Sequence, residues 1–302
     1  MASHPMYNLG GQPKAPPPQK PVEKIPSLET LESLLKAGAT DIVQQIIDKT
    51  SLPLKIENGK LVDALKGTDL YLNRFITSDE ICLAMKIDVV KLAKCPDEVL
   101  ITGATGTGKE LIARAMIGDR LGNFVAINCA GLPEHLIESE LFGHERGAFT
   151  GADSAKQGLC AVAKDGVLLL DEIGEMPISV QAKLLRAIQD KKIRRVGGNK
   201  EEDINCKFVC STHRNLKKMT KDGQFREDLF ARISTFELHI PSLSERPCDV
   251  EPILLSLKGG DKFITALRVD DKRITDIDLT FNVRSLERAV KRFNVLGKVI
   301  LS

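Results

Sequence analysis

Two short stretches hold residues whose types and spacing could do chemistry. The first is "GATGTGKE", residues 103–110: Gly103, Ala104, Thr105, Gly106, Thr107, Gly108, Lys109 and Glu110. Its glycines let backbone N–H groups approach a phosphate, and the helix expected after it adds a positive N-terminal end. Lys109 would reach the outer phosphates as a point charge. The pattern fits a phosphate loop except at its last position, where Glu110 replaces the Ser or Thr that ordinarily ligates magnesium. The second stretch is "GVLLLDEIGEM", whose apolar run ends in Asp171 and Glu172. Ligands bind outside the carboxyl end of a parallel strand, where this acidic pair falls. Asp171 can hold Mg2+, directly or through water, and Glu172 can polarise an attacking water. Read alone, the pair is equally a solvated strand end. With the phosphate loop upstream, it points to nucleotide hydrolysis.

The elements that must position these residues are legible as apolar runs alternating with helical segments. "EVLITG", "NFVAINC", "GVLLLDEI" and "CKFVCST" read as buried strands. "SDEICLAMKIDVVKLAK", "KELIARAMIG" and "SVQAKLLRAIQDK" read as helices between them. That alternation predicts an α/β fold with a parallel sheet flanked by helices.

Ahead of this region, residues 1–26 include "PKAPPPQKPVEKIP" and are expected to be a disordered or extended tail. Residues 27–78 are expected to form a small N-terminal α+β module or docking arm. Ser27 would cap a helix carrying Leu28, Leu31, Leu34 and Leu35. Thr40 would cap a second with Ile42, Val43, Ile46 and Ile47. "LPLKIENGKLVD" would then make a hairpin turning at Asn58–Gly59. The α/β core spans 79–242, and a helical lid spans 243–302.

Composition limits the function classes. The chain has 302 residues, and 43 Lys and Arg against 41 Asp and Glu give a net charge of +2. This balance gives no general case for nucleic-acid or membrane binding. No apolar run approaches the roughly 20 residues that cross a bilayer, and no signal-peptide stretch opens the chain. Seven cysteines at irregular spacing fit a reduced, cytoplasmic protein. Cys206 and Cys210 would lie on one strand face as buried thiols, with no His or Cys pair to complete a metal site.

One stretch fits neither helix nor strand: "GAFTGA", comprising Gly147, Ala148, Phe149, Thr150, Gly151 and Ala152. Either this is a surface loop whose Phe tucks into the core, or it is a flexible mount for an exposed aromatic and hydroxyl. The wider pattern resembles the central AAA+ ATPase domain of bacterial enhancer-binding proteins, the activators of sigma-54 RNA polymerase. "GATGTGKELIARA", "FVAINCAGL", "ESELFGHERGAFTGA", "GVLLLDEIGEM", "QAKLLRAIQ", "RRVGG", "STHRNL" and "FREDLFARIS" carry the resemblance, from about residue 79 to 250 with traces to about 295.

The resemblance implies an AAA+ P-loop fold with a shortened lid, ATP and Mg2+ as cofactors, and a self-assembled ring, expected to be a hexamer. It implies that GAFTGA tips a loop touching sigma-54, with Phe149 and Thr150 making contact between hinge glycines. Glu110 matches the family's own phosphate loop. Asn128 corresponds to the residue that holds Glu172 in an inactive orientation. Thr212 and His213 occupy the sensor position, and Arg284 fits the second sensor. Arg226 and Arg232 match arginine fingers that enter a neighbouring subunit's site, where such a residue supplies about 10³–10⁵ in rate. The chain departs from the family in its lid, where "LTFNVRSLERA" lacks the usual Trp, Pro and Gly, and in "PSLSERP". No DNA-binding domain or phospho-acceptor domain is recognised. The implied function is ATP-driven remodelling of sigma-54 RNA polymerase. Two alternatives are remodelling of a different protein or nucleoprotein target, and nucleotide-gated binding with little turnover.

Overall fold

A computed structural model of the protein describes residues 34, 36–50, 54–57, 60–63 and 68–301. The Pro-rich stretch, the Ser27 cap with Leu28 and Leu31, Leu35 and the Asn58–Gly59 turn lie outside them. A helix α1 covers Thr40–Thr50, and β1 (Leu54–Glu57) pairs antiparallel with β2 (Lys60–Asp63), in the register a tight hairpin requires. A short α2 (Asp69–Leu72) then leads into the main body. Although they precede residue 79, Leu72 and Phe75 are buried with Ile101 and Ile112 in the cluster beneath the main sheet.

The body alternates as its apolar runs predict. Helix α3 (Glu80–Lys94) starts at Asp79, whose carboxylate accepts the Cys82 N–H at 3.0 Å. Strand β3 (Val99–Gly103) runs into α4 (Lys109–Ala115), followed by β4 (Phe124–Asn128) and α5 (Glu134–Phe142). A two-residue ladder of β5 (Gly143–His144) and β6 (Lys156–Gln157) then brackets the GAFTGA segment. Next come α6 (Leu159–Val162), β7 (Val167–Asp171), α7 (Ile178–Asp190) and the hairpin of β8 (Lys192–Arg194) with β9 (Glu201–Asp203). Strand β10 (Lys207–Thr212), α8 (Leu216–Lys221), α9 (Glu227–Ile233) and β11 (Phe236–Ile240) complete the body.

The main sheet has the order β11-β3-β10-β7-β4 and is parallel throughout. Its central strands are buried on both faces, which explains their unbroken apolar runs. Along β7, Val167 and Leu169 face one helical layer while Leu168 and Leu170 face the other. Cys206 and Cys210 share one face, as their spacing predicts. Both are free thiols, and burial pushes Cys206 up to about 11. The edge strand β11 went unread in the sequence because its burial is partial, with Phe236, Glu237 and His239 exposed.

The lid follows as α10 (Val250–Ser256), α11 (Gly260–Val269) and α12 (Val283–Leu296). It has its own apolar cluster, built on Leu254, Phe263, Leu267 and Leu286. A buried ion pair joins lid, linker and core. Arg246 and Asp249 are 1% and 0% exposed and meet at 3.1 Å. Arg246 Nη2 also donates to the Thr107 carbonyl at 3.0 Å. Asp249 accepts from the Thr77 hydroxyl and the Ser78 N–H. The guanidinium lies 5.1 Å from the centre of the Phe75 ring.

Candidate nucleotide site

The phosphate loop leaves the end of β3 in backbone conformations that require glycine. Gly106 and Gly108 sit at φ +80° and +105°, and a Cβ on Gly106 would stand 2.2 Å from the Phe281 carbonyl oxygen. The N–H groups of Gly106, Gly108 and Lys109 have no acceptor among the described residues, which leaves them for an anion. Lys109 is 7% exposed, and its Nζ donates to the carbonyls of Gly103 and Ala104 at 2.9 and 3.2 Å. Burial pulls its ammonium below the ordinary value, against the opposing pull of Glu172 and Asp171. A buried cation held on two carbonyls at the mouth of such a loop suits a phosphate. Thr105 and Thr107 serve the loop itself: the Thr105 carbonyl accepts from Asn282, and the Thr107 hydroxyl donates to Ala104. Ala104 is exposed, as is Glu110, which turns back to pair with Arg114 at 2.8 Å.

The acidic pair sits where its strand predicts. Strand β10 lies between β3 and β7, so the ends of all three converge. Glu172 Oε1 lies 3.8 Å from Lys109 Nζ, and Oε2 accepts from His213 Nδ1 at 2.7 Å and from the His213 N–H at 3.2 Å. Glu172 has φ 53° and ψ 51°, a left-handed backbone that is costly for a residue with a side chain. Asp171 accepts a 2.6 Å hydrogen bond from Ser211. Among the described residues no cluster of His, Cys, Asp and Glu is dense enough to hold a metal by itself. A Mg2+ here would need Asp171 together with phosphate oxygens and water, which suits that ion's preference.

The other expected residues divide by position. Asn128 stands opposite Asp171 in the sheet register, but its side-chain oxygen Oδ1 accepts the Ala130 N–H at 2.8 Å. In this state Glu172 is held by His213, not by Asn128. Thr212 is fully buried, and its hydroxyl accepts the Arg214 N–H. Arg284 is exposed on α12, and its Cγ is 3.4 Å from where a Gly106 Cβ would stand. Arg226 and Arg232 do not join this site. Arg226 forms a two-pronged pair with Asp228, and Arg232 pairs with Glu98. Ser211, Asn282 and Arg246 also touch the site or its frame. Sequence reasoning passed over them, since no local pattern marks a side chain whose partner is distant in the chain.

The GAFTGA segment hangs from the β5–β6 ladder. The Gly147 N–H donates to the Ala152 carbonyl at 2.9 Å, closing the turn, and Ala152 is buried. Phe149 is half-buried. Its ring meets the His144 ring edge-on at 5.0 Å between centres, with His135 at 6.4 Å. His144 is fixed in turn by Ser139, 2.7 Å away. Thr150 is exposed, and Ala148 abuts Gly197 of the β8–β9 connection.

Fold and site together define a P-loop nucleotide-binding α/β domain with a helical lid. Residues 75–239 match the family described as the sigma-54 interaction domain. The chain belongs to that family, the central AAA+ domain of bacterial enhancer-binding proteins. It is 38% identical over 301 residues to the regulatory protein AtoC of Escherichia coli, covering 91% of this chain and 64% of that protein. It is 37% identical over 294 residues to the response regulator protein PilR of Pseudomonas aeruginosa, covering 91% and 65%. The chain therefore spans a little under two thirds of these relatives. Its fold is similar to NtrX from Brucella abortus in complex with ATP, with a TM-score of 0.63, 26% identity, and coverage of 88% of this chain and 56% of that one. No helix among the described residues is long and apolar enough to cross a membrane.

Proposed function

We propose that this protein hydrolyses ATP in a ring and uses the GAFTGA loop to remodel sigma-54 RNA polymerase. The observation that carries this reading is the convergence of Lys109, Glu172 and His213 at the ends of three neighbouring strands. Lys109 and the loop N–H groups would bind the triphosphate. Asp171 would hold Mg2+, which supplies charge neutralisation on the phosphates. Glu172 would accept the proton of the attacking water. His213 orients that carboxylate, and Asn128, one strand over, is near enough in register to compete for it. Arg284 would contact the nucleotide from the lid. Arg226 and Arg232 lie outside the site of their own subunit, which supports action on a neighbour and hence a ring. Phe149 and Thr150 would touch the partner. Seven free thiols suit a reducing cytoplasm.

Glu172→Gln tests the chemistry. The amide keeps size and hydrogen bonds but is a poor proton acceptor, so turnover should fall by at least about 10²-fold while ATP affinity holds. Hydrolysis at the wild-type rate would remove Glu172 from the role assigned to it.

A further inference from the structure

At the end of the sheet opposite the phosphate loop lies a second charged cluster. Glu98, one residue ahead of β3, is 1% exposed, an unusual depth for a carboxylate. Its Oε1 accepts from Lys191 Nζ at 3.0 Å. Its Oε2 lies 3.4 Å from Arg232 Nη2, an ion pair without hydrogen-bond geometry. Arg232 Nε is likewise buried with no hydrogen-bond partner among the described residues. The other cations at this end place their hydrogen bonds elsewhere, although Lys207 is near enough to Glu98 to feel its charge. Lys207 donates to the carbonyls of Cys95 and Asp97, and Arg120 donates to the carbonyl of Cys95.

Strand β3 separates this cluster from the phosphate loop of the same chain, by about 16 Å at the usual rise per residue. Arg232 is thus too far away to serve its own Lys109 and Glu172. The stem of Arg232 is fixed by burial of Nε, while the side chain as a whole stays 39% exposed.

We propose that Glu98 is an internal competitor for Arg232, so that the arginine has two alternative anions. In a lone subunit it rests on Glu98, and in the ring it turns to the triphosphate of the adjoining subunit. This rests on the reading that Arg232 acts in trans. Two features suit Glu98 to such an exchange. Lys191 keeps one carboxylate oxygen compensated when Arg232 departs, so the buried charge is not stranded. The Arg232 contact is the weaker of the two, lacking a hydrogen bond, and a triphosphate attracts a guanidinium more strongly than one carboxylate does. Engagement of the neighbour's nucleotide therefore has to overcome a restraint inside each subunit.

Specific ATPase activity against concentration of the full chain tests this. Glu98→Gln keeps the shape and removes the charge. The concentration giving half-maximal activity should fall by about three- to tenfold, with the plateau rate unchanged. Lys191→Met removes the cation hydrogen-bonded to Glu98, leaves Arg232 as its ion-pair partner, and should move the midpoint upward. A purely structural Glu98 would not give shifts of opposite sign. Coincident midpoints overturn the proposal, and so does a lower plateau for Glu98→Gln at an unchanged midpoint. If Glu98→Gln does not fold, Lys191→Met decides, and a midpoint at or below wild type overturns it. Arg232→Ala keeps the two failures apart. A wild-type plateau from that variant removes the trans finger itself. A lost plateau beside an unmoved Glu98→Gln midpoint removes the competitor alone.

Discussion

Phe149 is the residue where two expectations from the sequence meet. Its ring is neither in the core nor free, since it rests edge-on against His144 at the margin of the α5 layer. An edge-to-face pair of this kind contributes about 1 kcal/mol. Phe149→Ala should therefore lower the melting temperature by only about 2–4 °C, leave ATPase turnover intact, and abolish capture of sigma-54 with an ATP transition-state analogue. A drop beyond about 10 °C would put the ring in the core after all. Closely spaced glycines are legible because a left-handed backbone favours them, and strand-end acids because they break an apolar run. That is why Gly106, Gly108, Asp171 and Glu172 were legible in the sequence. The hydrogen bonds of Ser211 to Asp171 and of His213 to Glu172 were not legible, because each joins residues some 40 positions apart.

At the scale of elements, the joint between phosphate loop and lid is tighter than the sequence suggests. Asn282 donates to the Thr105 carbonyl at 2.9 Å and accepts the Leu243 N–H at 2.6 Å, and the Val283 N–H donates to the Gly106 carbonyl. One side chain thus ties the loop to both ends of the lid. The departure at "LTFN" brings Phe281 to this joint, with its carbonyl over Gly106 and its ring 5.1 Å from Arg288. Gly106→Ala should lose about 1–2 kcal/mol to the left-handed backbone alone and push the lid off by steric contact. Gly108→Ala meets only the Phe75 ring, which can shift. Hydrogen exchange at the Val283 amide should speed up in Gly106→Ala more than in Gly108→Ala. Equal protection in both would mean that the lid is not seated through this loop. Strand order itself was not readable from apolar runs, since β3, β7 and β10 are all largely buried and it is their pairing that places β10 in the middle.

Across the whole molecule, the Arg246–Asp249 pair joins units far apart in the chain. Burial alone would push the Asp249 carboxyl up, but the Thr77 hydroxyl, the Ser78 N–H and Arg246 together hold it below the usual aspartate value. A carboxylate depressed on folding contributes stability that is present above its unfolded pKa and lost as pH falls through the folded one. Arg246→Ala strands Asp249 and should cost about 3–5 kcal/mol at neutral pH. The gap between variant and wild type should narrow below about pH 4, where the unfolded-state carboxyl takes up its proton. Urea melts across that range read both effects, and a gap that stays constant with pH would show that Asp249 does not depend on Arg246. The sequence marks Arg246 as one more charged residue in a polar turn. Its burial follows from the lid folding down on the linker, which no local pattern encodes.

The two glycines of the GAFTGA turn sit at φ +79° and +94°, with nothing within 4 Å of where a Cβ would be. What these positions reject is therefore handedness, not volume. A D-alanine at 147 or 151 would find open space and a backbone it prefers, while its mirror image would be strained. The loop could then be stiffened in this one conformation by introducing a single D-configured stereocentre, without adding any new contact.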